Sequence, residues 1–169
     1  MTNKPIFLEK SKRKIEAIYL HCTATKPGRF VSVDAIRTYH MTARGFSDIG
    51  YHYIIEPDGS IFLGRPVDKG GAHVYQDNAH TIGVSMVGNW DEQMVDIESI
   101  QIKQTGLLLV SLCELYEIKP ASYGLLLHRE AHLYRDAPDP RKSCPGVNIN
   151  GRSMRLYVQK IFDKLEVTP

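Results

Sequence analysis

Residues 15–22 read IEAIYLHC, an apolar run that predicts a buried β-strand. Successive side chains of a strand point to opposite faces of its sheet. His21 therefore shares a face with Tyr19, whereas Cys22 points away together with Leu20. We expect Cys22 to be a thiol of the core. His21 ends the strand where a loop begins, a rigid and accessible position of the kind that suits a metal ligand.

Two further residues with ligand chemistry follow at comparable positions. His128 comes directly after the apolar strand predicted over residues 123–127, and Cys144 lies in the proline-rich stretch 136–146. Two imidazoles and one thiolate would leave the fourth tetrahedral position of a Zn²⁺ ion open for water. Because a single histidine or cysteine is more often structural, the hypothesis of a zinc site rests on the three residues together.

The remaining patterns predict a mixture of strands and helices. Strands are expected over residues 51–55, 61–63 and 81–87, with Pro57-Asp58-Gly59 as the turn of a hairpin. Helices are expected from the Ser32 cap to about Arg44, over residues 97–118, and after the Asn150 cap. The elements do not alternate strictly as βαβ, which predicts an α/β fold with a mostly mixed central sheet flanked by helices.

Length and composition limit the class of protein. A chain of 169 residues favours one domain, here residues 15–169, preceded by a polar arm at 1–14 that we expect to be flexible. The formal charge of +2 is too small for the basic surface of a nucleic-acid-binding protein. No stretch approaches the roughly 20 apolar residues of a membrane span. The N-terminus lacks an apolar segment, so we expect no secretory signal and folding in a cytoplasm. Three cysteines favour a metal ligand or buried thiols over a disulfide framework.

Short motifs along nearly the whole chain resemble the type-2 N-acetylmuramoyl-L-alanine amidases. That family includes amidase-type bacteriophage lysozymes and peptidoglycan recognition proteins. The motifs occur in the family's order: LHCTAT at 20–25, DIGYHYII at 48–55, DG at 58–59, GAH at 71–73, IGV at 82–84, HRE at 128–130 and KSCP at 142–145.

The resemblance implies a central mixed sheet with a zinc ion in a cleft on one side. It implies the same three ligands, His21, His128 and Cys144, and it adds Tyr51 and Lys142 as catalytic residues. Amide hydrolysis needs an activated water and stabilisation of an oxyanion. The lysine is suited to the oxyanion and the tyrosine to orienting the water.

The resemblance also implies roles for other polar residues. It places His73 and Asn78 on a loop at the cleft, where we expect them to bind substrate. From its chemistry, Glu130 could either orient a ligand through a hydrogen bond or form an ion pair with Arg129 or another cation. His132 lies four residues after His128 and is a weaker candidate ligand, while we expect His52, which follows Tyr51, to face the other side of its strand and to be structural.

These features predict a zinc hydrolase that cleaves the bond between N-acetylmuramic acid and L-alanine in peptidoglycan. We expect a monomeric phage or prophage endolysin that stays in the host cytoplasm until release and then acts on the wall in the periplasm. Two alternatives remain open: a cytosolic amidase that recycles wall fragments, and a peptidoglycan-binding module without activity. Cys144 and Lys142 argue against the second.

Overall fold

The computed structural model describes residues 8–135 and 142–166. Its strands are β1 (Ala17–Cys22), β2 (Tyr53–Ile55), β3 (Ile61–Leu63), β4 (Thr81–Met86) and β5 (Leu125–Leu127). Its helices are α1 (Val33–Thr42), α2 (Ile100–Tyr116), α3 (Ala131–Tyr134) and α4 (Gly151–Glu166). Short 3₁₀ turns span Asn78–His80 and His128–Glu130.

The strands form one mixed sheet in the order β3-β2-β4-β1-β5. β1 lies parallel to both β4 and β5, and β2 lies parallel to β4. β3 pairs antiparallel with β2 across the predicted hairpin turn. Because β1 and β5 are parallel neighbours, their carboxyl ends meet at one edge of the sheet. The prediction of a mixed central sheet flanked by helices is confirmed.

The two faces of β1 carry different chemistry. Leu20 and Cys22 belong to the main core, where α2 and α4 cover the sheet. Ala17 and Tyr19 pack on the opposite face, in a smaller buried cluster that also contains Ala131 of α3. The alternation predicted for this strand is therefore confirmed, and His21 lies on the face away from the main core. The candidate site therefore lies on the face of the sheet that carries Tyr19 and His21.

Side-chain caps fix where the helices begin. The Ser32 hydroxyl accepts a hydrogen bond from the Ala35 amide, and the Ser99 hydroxyl accepts one from the Ile102 amide, each at 3.3 Å. Each bond satisfies an amide that would otherwise have no partner in the first turn. The second helix therefore starts after Ser99, three residues later than the sequence pattern predicts.

Part of the predicted arm at residues 1–14 makes contacts with the domain. The Ser11 hydroxyl donates to the Val67 carbonyl at 2.8 Å, and the Arg13 Nε donates to the same carbonyl at 2.8 Å. Ser11 and Arg13 are thus hydrogen-bonded to the loop that carries Val67. The first seven residues of the arm lie outside the described part. No helix within the described residues is long and apolar enough to cross a membrane.

Candidate metal centre

The three predicted ligands come from three separate segments and meet at the edge of the sheet. His21 lies near the end of β1, His128 begins the turn after β5, and Cys144 lies in the loop before α4. One ligand atom of each falls within 4.8 Å of the others. The Cys144 Sγ is 3.7 Å from the His21 Nδ1, and the two imidazole rings are 4.6 Å apart between centroids. The fold thus assembles the group that the sequence predicts.

The geometry and chemistry of this group fit a zinc ion. Zinc–nitrogen and zinc–sulfur bonds of about 2.0 and 2.3 Å at tetrahedral angles would separate the two donor atoms by about 3.5 Å. The 3.7 Å between the His21 Nδ1 and the Cys144 Sγ is close to that value. Nitrogen and thiolate donors also suit zinc better than magnesium or calcium. Three protein ligands leave one position open, as in catalytic rather than structural zinc sites.

Electrostatics affect His21 and Cys144 differently as possible ligands of a cation. Burial and the neighbouring His128 hold the pKa of His21 well below its usual range, so the imidazole is neutral and has a lone pair to offer. Contact with the Cys22 thiol, together with burial, raises the pKa of Cys144. Its thiol therefore keeps its proton until a positive charge such as a metal ion displaces it.

The two predicted catalytic residues lie beside the group. The Tyr51 ring is 5.2 Å from the His21 ring between centroids, and burial raises the pKa of its hydroxyl. The tyrosine therefore remains protonated and can donate a hydrogen bond. The Lys142 side chain is exposed, yet its charge lowers the pKa of both His21 and Cys144. The catalytic roles of Tyr51 and Lys142 stay predictions.

His73 contacts the candidate ligand His21, and Asn78 binds the backbone next to His73. His73 is only 7% exposed, and its Nδ1 lies 3.1 Å from the His21 Nε2. The Asn78 Oδ1 accepts hydrogen bonds from the amides of His73 and Val74 at 2.8 and 3.0 Å. Asn78 thus fixes the loop that carries His73. These contacts leave the predicted substrate-binding role of both residues as a prediction.

Two glycines make room for the His73 ring. A Cβ atom added at Gly83 of β4 would come within 2.7 Å of that ring, and one added at Gly71 would meet it more closely still. Both approaches are shorter than real Cβ contacts allow. The glycines of the GGAH and IGV sequences thus form a socket for one imidazole, which ties two separate motifs to one packing requirement.

The orientation predicted for His52 is wrong, although its structural character is not contradicted. Its ring lies 5.6 Å from the His73 ring between centroids. The His73 ring in turn contacts the His21 ring, which also contacts Tyr51, so His52 lies on the side of the sheet that carries the candidate ligands. The alternation argument fails because β2 begins only at Tyr53, so both preceding residues lie before the regular strand. The His52 Nδ1 accepts from the Gly83 amide at 2.9 Å. Burial lowers the pKa of His52 to about 4.

Glu130 and His132 differ in their relation to the site. The Glu130 carboxylate accepts from the Leu127 amide at 2.9 Å and pairs with Arg155 at 2.7 Å. It therefore helps to fix the turn that starts with His128. The ion pair is the second of the two roles expected for Glu130, with Arg155 as the cation; the role of orienting a ligand directly stays a prediction. Among the described residues His132 does not join the candidate ligand group, and its Nδ1 has no hydrogen-bond partner there.

Sequence reasoning missed the part played by Arg129. Its amide donates to the Cys144 carbonyl at 2.9 Å. Its guanidinium donates to the carbonyls of Ser143 at 3.0 Å, Gly146 at 2.6 Å and Ile149. One side chain thus ties the turn that carries one ligand to the loop that carries another. Its partners are backbone carbonyls, which leave no mark in the sequence; the only available signal was its place in the HRE motif.

Comparison with known proteins agrees with this site. A family model described as N-acetylmuramoyl-L-alanine amidase matches residues 11–147. The endolysin of Escherichia phage T7 is 37% identical over 143 residues, covering 83% of this chain and 86% of that protein. Peptidoglycan-recognition protein SC2 of Drosophila melanogaster is 32% identical over 126 residues, covering 75% of this chain and 62% of that protein.

A solved structure shares the fold. N-acetylmuramoyl-L-alanine amidase LysC from Clostridium intestinale URNW superposes with a TM-score of 0.71 and 27% identity, covering 87% of each chain. The family match spans most of the sequence and includes all three candidate ligands. The chain therefore belongs to the N-acetylmuramoyl-L-alanine amidase family.

Proposed function

We propose that this amidase is a zinc-dependent bacteriophage or prophage endolysin that holds one zinc ion per chain. Its reaction is hydrolysis of the amide between N-acetylmuramic acid and L-alanine in peptidoglycan. The observation that carries the proposal is the meeting of His21, His128 and Cys144, whose ligand atoms all lie within 4.8 Å of one another. The Tyr51 ring beside His21 and the effect of the Lys142 charge on His21 support roles for these two residues in activating water and in stabilising an oxyanion.

Zinc, when bound, supplies a Lewis acid that brings the pKa of water to about 7. The chain's own residues supply the rest of the catalytic apparatus. The neutral Tyr51 hydroxyl, next to His21, donates a hydrogen bond that orients the attacking water. The Lys142 ammonium stabilises the negative charge that develops on the scissile carbonyl oxygen, an interaction worth about 3–4 kcal/mol for one well-placed donor.

The setting of the reaction is inferred from the relatives. Similarity to a phage endolysin over most of both chains favours host-cell lysis, with the protein held in the cytoplasm until release and then acting on the wall. Peptidoglycan is the proposed partner, and we propose a monomer. A binding module without activity is disfavoured because the cysteine and the lysine of the KSCP motif are both present.

Metal analysis tests the zinc dependence. The purified protein should contain about one zinc ion per chain, as in other sites with three protein ligands and an open position. Chelation should abolish hydrolysis of isolated sacculi, and added zinc should restore it. Full activity of a preparation shown to be metal-free would reject the mechanism.

A substrate comparison separates an endolysin from a recycling amidase. We expect the enzyme to release peptides from intact sacculi at least as fast as from soluble muropeptides. Expression inside a Gram-negative bacterium should lyse the cells only after the inner membrane is permeabilised, and a Cys144→Ser variant should not lyse them. Rapid cleavage of soluble fragments with no action on sacculi would favour the recycling role instead.

A further inference from the structure

We propose that Thr81, His73 and His21 form a directed hydrogen-bond chain that fixes the tautomer of His21, leaving its Nδ1 free to bind the metal. His73 is then a positioning residue that acts through His21 and does not itself contact substrate. The inference rests on the proposed metal-dependent function. It assigns to His73 a role different from the one that its sequence motif implies.

The direction of the chain is set at Thr81. Its Oγ1 lies 2.6 Å from the Asp77 carbonyl oxygen, which can only accept, so the hydroxyl must donate there. The hydroxyl oxygen is left with lone pairs. The His73 Nε2, at 3.5 Å from that oxygen, can bond to it only as a donor. Thr81 therefore favours the His73 tautomer that carries its proton on Nε2.

The next bond follows from this tautomer. With the proton on Nε2, the His73 Nδ1 is an acceptor, and the His21 Nε2 at 3.1 Å must donate to it. A neutral His21 with its proton on Nε2 has a free lone pair on Nδ1. That nitrogen is the one that faces the Cys144 Sγ at 3.7 Å. The opposite direction would put a proton on the His21 Nδ1 and block it as a ligand.

Burial favours one direction of these hydrogen bonds over the other. Thr81 is 0% exposed, His21 1% and His73 7%, so solvent offers no easy replacement for a bond made in the wrong direction. The glycines at 71 and 83 leave room for an imidazole at this position, and Asn78 holds the backbone that carries it.

His52 does not compete for His73, although the two rings are in contact. The His52 Nδ1 accepts from the Gly83 amide, so its proton is on Nε2, which donates to the Lys69 carbonyl at 3.0 Å. Both nitrogens are therefore occupied. His52 is a matched control: an equally buried imidazole beside the chain with no hydrogen bond to His21.

Long-range ¹H–¹⁵N correlation spectra of the histidine rings test the chain directly in the wild-type protein. In the zinc-free protein we expect both His21 and His73 as the Nε2-protonated tautomer. After zinc is added, the His21 Nδ1 should show the shift of a coordinated nitrogen while its Nε2 stays protonated. A His21 ring protonated on Nδ1 in the zinc-free protein, or coordinated through Nε2, would overturn the proposal.

Zinc affinity of variants, measured by competition with a chromophoric chelator, gives a second readout. His73→Leu removes the acceptor and should weaken zinc binding about 10–100-fold, the range found when such partners of ligands are lost. His73→Asn offers an oxygen acceptor near the place of Nδ1 and should restore much of the affinity. His52→Asn should leave it unchanged. Wild-type affinity in a folded His73→Leu would contradict the proposal, and if that variant does not fold, the wild-type spectra decide.

Both measurements are made without substrate, so the two proposals fail separately. An inactive protein whose histidines show the expected tautomers would reject the amidase function and keep the hydrogen-bond chain. An active zinc enzyme with the other His21 tautomer would reject only the chain.

Discussion

Lys142 and Tyr51 flank the candidate metal centre without belonging to its ligand group. We therefore expect Lys142→Ala and Tyr51→Phe to keep their zinc and to slow turnover. The lysine acts on charge that appears only in the transition state, so kcat and kcat/KM should fall together, by about 10²–10³-fold. Tyr51→Phe keeps the ring and removes only the hydroxyl. It separates a catalytic role from a packing role.

Steady-state rates and metal content, measured on the same preparations, check this expectation. Lys103→Ala is the control for loss of a positive charge, because that side chain pairs with Glu98 on an exposed helix surface. Near-normal rates in both test variants with zinc in place would remove Lys142 and Tyr51 from the catalytic apparatus.

Cys144 and Cys22 are neighbours with different predicted tasks. Cys144→Ser should weaken zinc binding and activity sharply, because a serine hydroxyl stays protonated where a metal-bound thiol does not. Cys22→Ser should mainly reduce stability, by about 1–3 kcal/mol for a polar group placed in the core. Zinc titration and urea unfolding distinguish the two, with Cys113→Ser as a second buried-thiol control. Loss of metal from Cys22→Ser with retention in Cys144→Ser would reverse the ligand assignment.

Sequence periodicity identified these residues only where the backbone is regular. It separated His21 from Cys22 correctly because both lie inside β1. It misplaced His52 because that residue precedes β2, where the period of two does not hold. It could not reveal that His73 contacts His21, since no pattern links residues that are 52 positions apart.

Two parallel strands and one loop bring the site together. β1 and β5 run side by side, so His21 and His128 arrive at the same edge of the sheet. Parallel strand pairing does not explain the position of Cys144, which lies on a loop without regular structure. The hydrogen bonds of Arg129 to the Ser143 and Gly146 carbonyls hold that loop beside the turn that carries His128.

Loss of the Arg129 side chain should therefore loosen the metal site. We expect Arg129→Met to weaken zinc binding about 10–100-fold, comparable to the loss of other groups that orient ligands. Chelator competition gives the affinity, and the melting temperature shows how much of the fold is lost. Arg37→Met, which breaks an ion pair with Asp48 that involves none of the three candidate ligands, is the control. Equal zinc affinity in Arg129→Met and wild type would show that the loop is held by other contacts.

Local signals account for the elements that the sequence could predict. The capping serines 32 and 99 and the Asn150 side chain, which accepts from the Ser153 amide, each mark the start of a helix. The hairpin turn between β2 and β3 follows from its Pro-Asp-Gly sequence. The short helix α3 was not predicted, because four residues carry too little periodicity.

The whole sheet could be predicted as mixed, but its strand order could not. Order depends on pairing between distant segments, such as β1 with β4 and β5, and spacing along the chain does not specify such pairs. The family resemblance implies that the zinc site lies on one side of the sheet. Helices α2 and α4 cover one face of the sheet, and Ala17, Tyr19 and His21 lie on the other face, where the candidate site is.

Buried neutral histidine makes the stability of the molecule depend on pH. His52 is 0% exposed and its pKa is lowered to about 4, below the ordinary value of 6.5. As pH falls below about 6.5, His52 becomes protonated in the unfolded chain. In the folded protein it stays neutral until about pH 4. The stability gained from a neutral His52 is therefore complete above pH 6.5 and lost towards pH 4.

His52→Asn should flatten this dependence. In that window its free energy of unfolding should change less steeply with pH than that of the wild type, by up to about 1.4 kcal/mol per pH unit. The two curves should run parallel above neutral pH. Urea unfolding at a series of pH values measures both, and identical slopes throughout would show that His52 does not contribute.

Digestion of purified sacculi, with the new ends identified by mass spectrometry, tests the central claim most directly. An enzyme that opens the bond between N-acetylmuramic acid and L-alanine releases stem peptides with a free N-terminal L-alanine. It leaves glycan strands of unchanged length whose muramic acid residues carry no peptide. We expect those two products, and none after treatment with the Cys144→Ser variant. New reducing sugars, or cuts within the stem peptide, would contradict the account.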